Sequence, residues 1–207
     1  MTAIIDYGVG NLFSLLSSFE KIGEKAVITS NADDLIKADR IVLPGVGAFG
    51  DAAEKLQSSG LVGTLFDQIK KGKPVLGICL GMQLLFDKSY EYGEYKGLGL
   101  ISGSVVPMAD KVQNLKIPHM GWNALKFHNG GHPLFKYINE GDHVYFVHSF
   151  YGAECEKSLI ASAEYGIQIT AAVANKNVMG CQFHPEKSGV VGLKILKSFC
   201  EMKEGAL

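Results

Sequence analysis

Cys79 sits between two glycines in Gly77-Ile-Cys-Leu-Gly-Met-Gln83, directly after the apolar run Val75 to Ile78. Glycines at i−2 and i+2 around a nucleophilic side chain have the spacing of a nucleophile elbow, a sharp strand-to-helix turn. The residue at the apex holds a strained backbone, and side chains at the flanking positions would strike the neighbouring strand and helix. The turn also puts Cys79 at a helix N-terminus, where N–H groups and the helix dipole favour a thiolate. A buried structural cysteine at a strand end is the alternative. The paired glycines favour the nucleophile.

A cysteine nucleophile needs a base to take its proton, and the base needs an acceptor to orient it. Six histidines are available. His128 and His132 lie in the glycine-rich stretch His128-Asn-Gly-Gly-His132, which reads as an exposed loop. His143 follows Gly141-Asp142 and reads as a turn residue. His119, in Pro118-His-Met-Gly-Trp-Asn123, and His148, in Val147-His-Ser149, are stronger candidates. His184 stands out because it ends the apolar strand Val178–Phe183 in Gln182-Phe-His-Pro-Glu186, where Pro185 breaks the ladder. In an extended segment residues i and i+2 point the same way, so Glu186 is placed to accept from one ring nitrogen while the other faces Cys79. The alternatives are a capped core histidine and a solvated acid.

Acyl transfer through a thiol also needs two N–H donors for the developing oxyanion. The N–H of Leu80 follows the nucleophile directly. A second donor is expected from Gly45-Val46-Gly47, at the exit of a neighbouring strand, where glycines let the backbone approach a ligand. Gly45 to Gly50 also matches G-x-G-x-x-G. A dinucleotide reading is rejected because Pro44 precedes it, it follows the third strand, and the next strand ends at Cys79 instead of an acid.

The elements that must position these residues follow from periodicity. Strands are expected at Ala3–Ile5, Ala26–Ile28, Arg40–Leu43 and Val75–Ile78. Helices are expected around Leu12, Leu15, Leu16 and Phe19 (with Gly23 as a cap), from Asp51 through Leu56, from Leu61 to Ile69, and from Cys79 through Met82, Leu84, Leu85 and Phe86. Alternating strands and helices argue for a parallel sheet covered on both faces. The second half changes to short strand candidates, Leu98–Ile101, Ser104–Val106, Val144–Val147, Leu159–Ala161, Ile169–Val173 and Val178–Phe183, of antiparallel or mixed type. A helix from Val190 to Met202 closes the chain.

The 207 residues are 47% hydrophobic with formal charge −1, enough to bury about 70% of the unfolded surface in one α/β domain, residues 1–207. Arg40 is the only arginine, and no basic run suits nucleic acid or a membrane surface. No basic segment precedes an apolar core, and Asp6 interrupts the first strand, so no signal peptide is expected. The apolar stretch Val75 to Phe86 is too short to span a bilayer. Cys79, Cys155, Cys181 and Cys200 form no C-x-x-C pair, which argues against a zinc site or disulfide framework and for a reducing cytoplasmic compartment.

Pro44-Gly-Val-Gly47, Gly77-Ile-Cys-Leu-Gly-Met-Gln83 and Phe183-His-Pro-Glu186, in this order, resemble the class I (triad) glutamine amidotransferases. The resemblance covers essentially the whole chain. Gly8-Val-Gly-Asn11, Pro118-His-Met-Gly-Trp-Asn123, Tyr145-Phe-Val-His-Ser149 and His184-Pro-Glu-Lys-Ser188 resemble, within that family, the glutaminase branch serving imidazole glycerol phosphate synthesis in histidine biosynthesis. The resemblance implies a flavodoxin-like three-layer α/β fold, with a mostly parallel central sheet and additional antiparallel strands in the second half.

It further implies that Cys79 attacks the carboxamide carbon of L-glutamine, with His184 as proton carrier and Glu186 as its orienter, and that Val46 and Leu80 supply the oxyanion N–H groups. Gly45, Gly47, Gln83, Glu91, His148 and Ser149 would contact the glutamine, with Glu91 near its α-amino group. Gln83 lies one helical turn after Cys79. No cofactor and no metal are implied. The implied partner is a (β/α)8-barrel cyclase subunit, joined in a heterodimer, that receives the ammonia. Asn11, Trp122, Tyr145 and Lys187 are the candidates for the docking face. Activity without the partner is expected to be weak. Three other readings remain: a glutaminase feeding pyridoxal phosphate synthesis, a free-standing cysteine peptidase or chaperone-like hydrolase, and a non-catalytic binding subunit.

Overall fold

The computed structural model describes residues 1–128, 130–203 and 205. From the N-terminus the elements are β1 (Thr2–Ile5), α1 (Leu12–Lys21), β2 (Ala26–Thr29), α2 (Ala32–Lys37), β3 (Arg40–Leu43), α3 (Phe49–Ser58), α4 (Val62–Lys70), β4 (Val75–Ile78) and α5 (Leu80–Leu84). The second half adds β5 (Phe86–Ser89), β6 (Tyr95–Lys96), β7 (Ile101–Pro107), β8 (His119–Ala124), β9 (Lys126–Phe127), β10 (His143–His148), β11 (Phe150–Ala153), β12 (Leu159–Glu164), β13 (Gln168–Asn175), β14 (Val178–Cys181) and α6 (Gly189–Cys200).

An eight-stranded sheet runs β2-β1-β3-β4-β14-β13-β12-β9. It is parallel from β2 to β14 and antiparallel beyond. Alternate residues of β1 enter opposite cores: Ile4 joins Leu15, Phe19 and Phe199 on one face, while Ala3 and Ile5 join Leu35, Phe49 and Leu65 on the other. A central strand buried on both faces therefore reads as continuously apolar. Two smaller sheets, β11-β7-β5-β6 and β10-β8, are built from the second half of the chain.

β4 lies between β3 and β14, and its partners fix where the loops emerge. Gly77 pairs with Leu43 on one side and Gly180 on the other, and Ile78 pairs with Cys181. The Pro44–Gly47 segment, Cys79 and the segment leading to His184 thus leave the carboxyl ends of three adjacent parallel strands, the edge where open α/β sheets bind ligands.

Several elements differ from the sequence pattern. Of Leu98–Ile101 only Ile101 is strand. The N–H groups of Leu98, Gly99 and Leu100 instead bond the carbonyls of Leu84, Phe86 and Leu85, strapping the end of α5. α5 stops at Leu84 and Phe86 opens β5, so the apolar run after Cys79 divides between a short helix and a strand. β14 ends at Cys181, two residues before the expected limit. His143 begins β10 and is not a turn residue. His128 and His132 are half-buried, not exposed: His128 Nε2 lies 2.8 Å from Ser162 Oγ, and His132 Nδ1 accepts from the Leu134 N–H. Asn129, in that same stretch, lies outside the described residues.

Candidate active site

Cys79 is the residue between β4 and α5, with φ 54° and ψ −112°. A non-glycine residue at positive φ is strained and persists only where its surroundings hold it. Here Cys79 N–H donates to Cys181 O at 2.8 Å, tying the turn to β14, and Gln83 N–H closes the first helical bond on Cys79 O. Both flanking glycines are needed. A Cβ on Gly77 would lie 2.6 Å from Gly81 O, and one on Gly81 would overlap the Leu43 carbonyl oxygen. Leu80 opens α5, so its N–H has no carbonyl within the helix to pair with.

His184 is 3% exposed and leads into a one-turn 3-10 helix, Pro185–Lys187. Its Nδ1 donates to Glu186 Oε1 at 2.7 Å. The two side chains meet across this turn, not along the extended segment that i,i+2 spacing suggests. The loop is stitched to β10: His184 N–H donates to Tyr145 O, Ser188 Oγ donates to His184 O, and Tyr145 N–H donates to Ser188 Oγ. Burial opposes a charge on His184, but hydrogen bonding to Cys79 and Glu186, together with the charge of Glu186 and of Cys79 once its proton has passed to the imidazole, outweighs it and pushes its pKa up to about 9.

These groups meet at a cavity of about 330 Å³ whose wall includes Cys79, Leu80 and His184 together with Val46 and Gly47. Gly45 is not in that wall. It packs behind it, where a Cβ would lie 2.8 Å from Gly81 N. Tyr7 Oη donates to Pro44 O at 2.7 Å and pins the start of this segment. Burial, and then the neighbouring Cys79, hold the Tyr7 phenol protonated well above its usual range.

Gln83, Glu91, His148 and Ser149 also line the cavity. Glu91 Oε2 accepts from Phe49 N–H at 2.7 Å, capping the otherwise unpaired start of α3. Burial raises its pKa despite that bond, and the charge of Asp51 adds to the rise. His148 Nδ1 donates to Phe150 O at 2.8 Å. Burial pushes the His148 pKa down to about 3, with neighbouring His119 and His184 adding to the effect, so the ring is neutral at ordinary pH. His119 is fully buried, its Nδ1 3.0 Å from His148 Nε2, and it does not line the cavity.

Of the four docking-face candidates, Lys187 reaches the cavity wall and the others lie outside it. Trp122 is 52% exposed and stands edge-on to Tyr145, with centroids 6.0 Å apart, and Lys187 Nζ lies 6.0 Å from the Tyr145 ring centroid. Asn11 is half-buried at the start of α1.

Sequence reasoning missed Tyr7, Tyr92, Phe150 and Gln182. Tyr92 and Phe150 line the cavity and meet edge to face at 5.8 Å. Gln182 is fully buried, and its Nε2 is 3.7 Å from Cys79 Sγ. Its spacing of two from His184 was the one available signal. Among the described residues, no group of His, Cys, Asp and Glu is placed to hold a metal ion, and no helix is long and apolar enough to cross a membrane.

Residues 3–202 match the family model "Glutamine amidotransferase class-I". The chain is 48% identical over 206 residues to the imidazole glycerol phosphate synthase subunit HisH of Wolinella succinogenes, covering 98% of this chain and 100% of that one. It is 50% identical over 203 residues to the protein of the same name from Caldanaerobacter subterraneus subsp. tengcongensis, covering 98% of each. Among solved structures, PurLQS from Thermotoga maritima superposes with a TM-score of 0.75 at 20% identity, over 96% of each chain, a likeness of fold.

Proposed function

This chain belongs to the class I glutamine amidotransferases, and from that premise we propose that it is the glutaminase subunit of an imidazole glycerol phosphate synthase. It hydrolyses L-glutamine to glutamate and ammonia, and a cyclase subunit consumes the ammonia. The observation that carries this reading is the meeting of Cys79 and the hydrogen-bonded His184–Glu186 pair at one cavity, from segments about a hundred residues apart.

In the proposed reaction the glutamine carboxamide carbon sits over Cys79 Sγ. Cys79 gives its proton to His184 and its sulfur forms the bond to that carbon, while the carbonyl oxygen takes negative charge. The N–H groups of Leu80 and Val46 are assigned to that oxygen. The C–N bond then breaks, and His184 returns the proton to the departing ammonia. A water molecule, deprotonated by His184, cleaves the glutamyl thioester and restores the thiol. Glu186 keeps Nδ1 of His184 in the donor role and stabilises the imidazolium. Glu91 is assigned to the α-ammonium of the substrate, with Gln83, Gly47 and the His148–Ser149 backbone along its length. Gly45 acts through packing behind Val46.

Ammonia released into neutral water becomes ammonium, so a closed route to the consumer is needed. The proposed consumer is a (β/α)8-barrel cyclase in a heterodimer, docked over Trp122, Tyr145, Asn11 and Lys187. It joins ammonia to a phosphoribulosyl-formimino carboxamide ribonucleotide, giving imidazole glycerol phosphate and aminoimidazole carboxamide ribotide. The four cysteines are all free, which supports a reducing, cytoplasmic setting.

The test is glutamate release from L-glutamine by the purified chain alone, with the cyclase, and with cyclase plus nucleotide, using Cys79→Ala as control. Strong stimulation by the liganded cyclase, lost in Cys79→Ala, is expected. Activity indifferent to that cyclase would remove the pathway, and no activity in any condition would remove the enzyme. A high rate without the partner would overturn the expectation of weak basal activity.

A further inference from the structure

Behind the triad, Cys79 has a second polar neighbour that the reaction scheme does not use. Gln182 Nε2 lies 3.7 Å from Cys79 Sγ, within hydrogen-bonding range for sulfur, and the Gln182 side chain is fully buried. Its backbone N–H is tied to Ala171 O at 2.8 Å. The direction of the contact follows from the next two bonds. Gln83 Nε2 lies 3.0 Å from Phe150 O, and a carbonyl can only accept, so the Gln83 amide presents its nitrogen on that side. The same nitrogen lies 3.0 Å from the Gln182 amide and must donate there as well, which makes the near atom of Gln182 its oxygen. Gln182 then has only its NH₂ left to face Cys79, and the sulfur must accept.

From this chain of bonds we infer that Gln182 is a thiolate-stabilising donor: its Nε2–H directs the thiol proton toward His184 and holds the sulfur lone pair as the proton leaves. The inference deepens the glutaminase reading and rests on it for the role of Cys79. In the attack step the S–H proton passes to His184, the freed sulfur pair forms the S–C bond, and the C=O π pair moves to the oxygen. Gln182 exchanges no proton. Its bond strengthens as sulfur becomes anionic, because hydrogen bonds to an ionised acceptor are stronger than neutral ones. The contact therefore favours the attacking state over the resting thiol. Gln83 extends the same network to the cavity wall, so a ligand there that moves Gln83 is felt at the sulfur through Gln182.

The test is the rate at which iodoacetamide alkylates Cys79, followed against pH, in the wild type, Gln182→Met and Gln182→Glu. Cys79→Ala gives the background, and circular dichroism and thermal melting check the fold. Methionine keeps the length without a donor. Glutamate keeps an oxygen for Gln83 Nε2 but sets a carboxylate, whose charge also opposes a thiolate, in place of the donor, so if the methionine variant does not fold it still overturns the inference by leaving the profile unchanged. Losing one charge-assisted bond is expected to slow alkylation at neutral pH about tenfold and to move the acid limb of the profile to higher pH. Glutaminase kcat falls by a similar factor, with KM changed much less. A folded variant whose alkylation profile overlays the wild type would overturn the inference. Alkylation needs no glutamine, so the outcome stands apart from the glutaminase assay. A wild type that releases no glutamate would sink the enzymatic reading and leave the donor test intact.

Discussion

Gly81 and Leu43 meet backbone to backbone: a Cβ on Gly81 would overlap the Leu43 carbonyl oxygen. The contact joins the first turn of α5 to the last residue of β3, and the Pro44–Gly47 segment departs from that point. Elbow and oxyanion segment are therefore registered by one glycine. Gly81→Ala has only backbone to push against, and backbone gives less readily than a flexible side chain. The substitution is expected to cost about 3 kcal/mol. In a chain of this size that corresponds to a melting point lower by about 6–12 °C. Glutamate release should fall further than the loss of folded protein explains. Differential scanning fluorimetry with a glutaminase assay decides it, and a variant with the wild type's melting point and rate would contradict the contact.

The raised pKa of His184 ties the site to the stability of the fold. Its value near 9 lies above the 6.5 of a free imidazole. A group with a raised folded-state pKa contributes its stability in full below the unfolded value and loses it as pH rises through the folded one. That contribution should accordingly fade between about pH 6.5 and 9. Cys79→Ala removes one of the two groups that raise it and leaves Glu186. The imidazole titration, followed by NMR, should move down, and urea midpoints should vary less across the same pH window. An unmoved His184 titration in Cys79→Ala would show that the thiol has no part in the shift.

The elbow was readable in the sequence because its constraint is local: two glycines and one cysteine satisfy a steric requirement within five residues. His184 and Glu186 were readable for a similar reason, since the Pro185 between them marks a local turn, although the strand stops at Cys181 and Pro185 opens the 3-10 turn across which the two side chains meet. Gln182 was not. Its contact with Cys79 spans 103 positions and exists only because β14 pairs in parallel with β4. Leu98 to Leu100 misled in the opposite way, because their apolar side chains resemble a strand while their N–H groups are taken by carbonyls of residues 84–86. The helix α2 carried a signal that was passed over: Asn31 caps it by accepting from Asp33 N–H at 2.9 Å, ahead of acidic residues in the first turn. Glu91 drew attention only through resemblance, since its burial depends on a bond to α3 about forty residues earlier.

Glu91 separates charge from structure in a single substitution. Glu91→Gln keeps an oxygen for the Phe49 N–H, so the cap on α3 survives. The negative charge assigned to the substrate ammonium is lost. A hydrogen bond to a charged group is worth roughly 1.5–3 kcal/mol, so KM for glutamine should rise about 10- to 100-fold. The maximal rate should stay within about threefold, since Glu91 takes no part in the proposed proton transfers. Steady-state kinetics with the stimulating partner present give both numbers. A fall in kcat at unchanged KM would move Glu91 out of substrate binding.

Trp122 tests the proposed docking face. It is 52% exposed on β8, edge-on to Tyr145, and Lys187 links the same ring to the cavity wall. A half-exposed tryptophan contributes little to the core, so Trp122→Ala should melt within a few degrees of the wild type. A buried aromatic anchor at an interface is worth about 2 kcal/mol or more, so affinity for the cyclase should fall about 30-fold. Isothermal titration calorimetry measures this directly. Basal glutamate release should be unchanged, because Trp122 does not line the cavity, whereas stimulation at limiting cyclase should drop with the affinity and return when cyclase is in excess. A variant that binds normally but cannot be stimulated would make Trp122 a transmitter of activation. One that binds and responds normally would place the partner on another face.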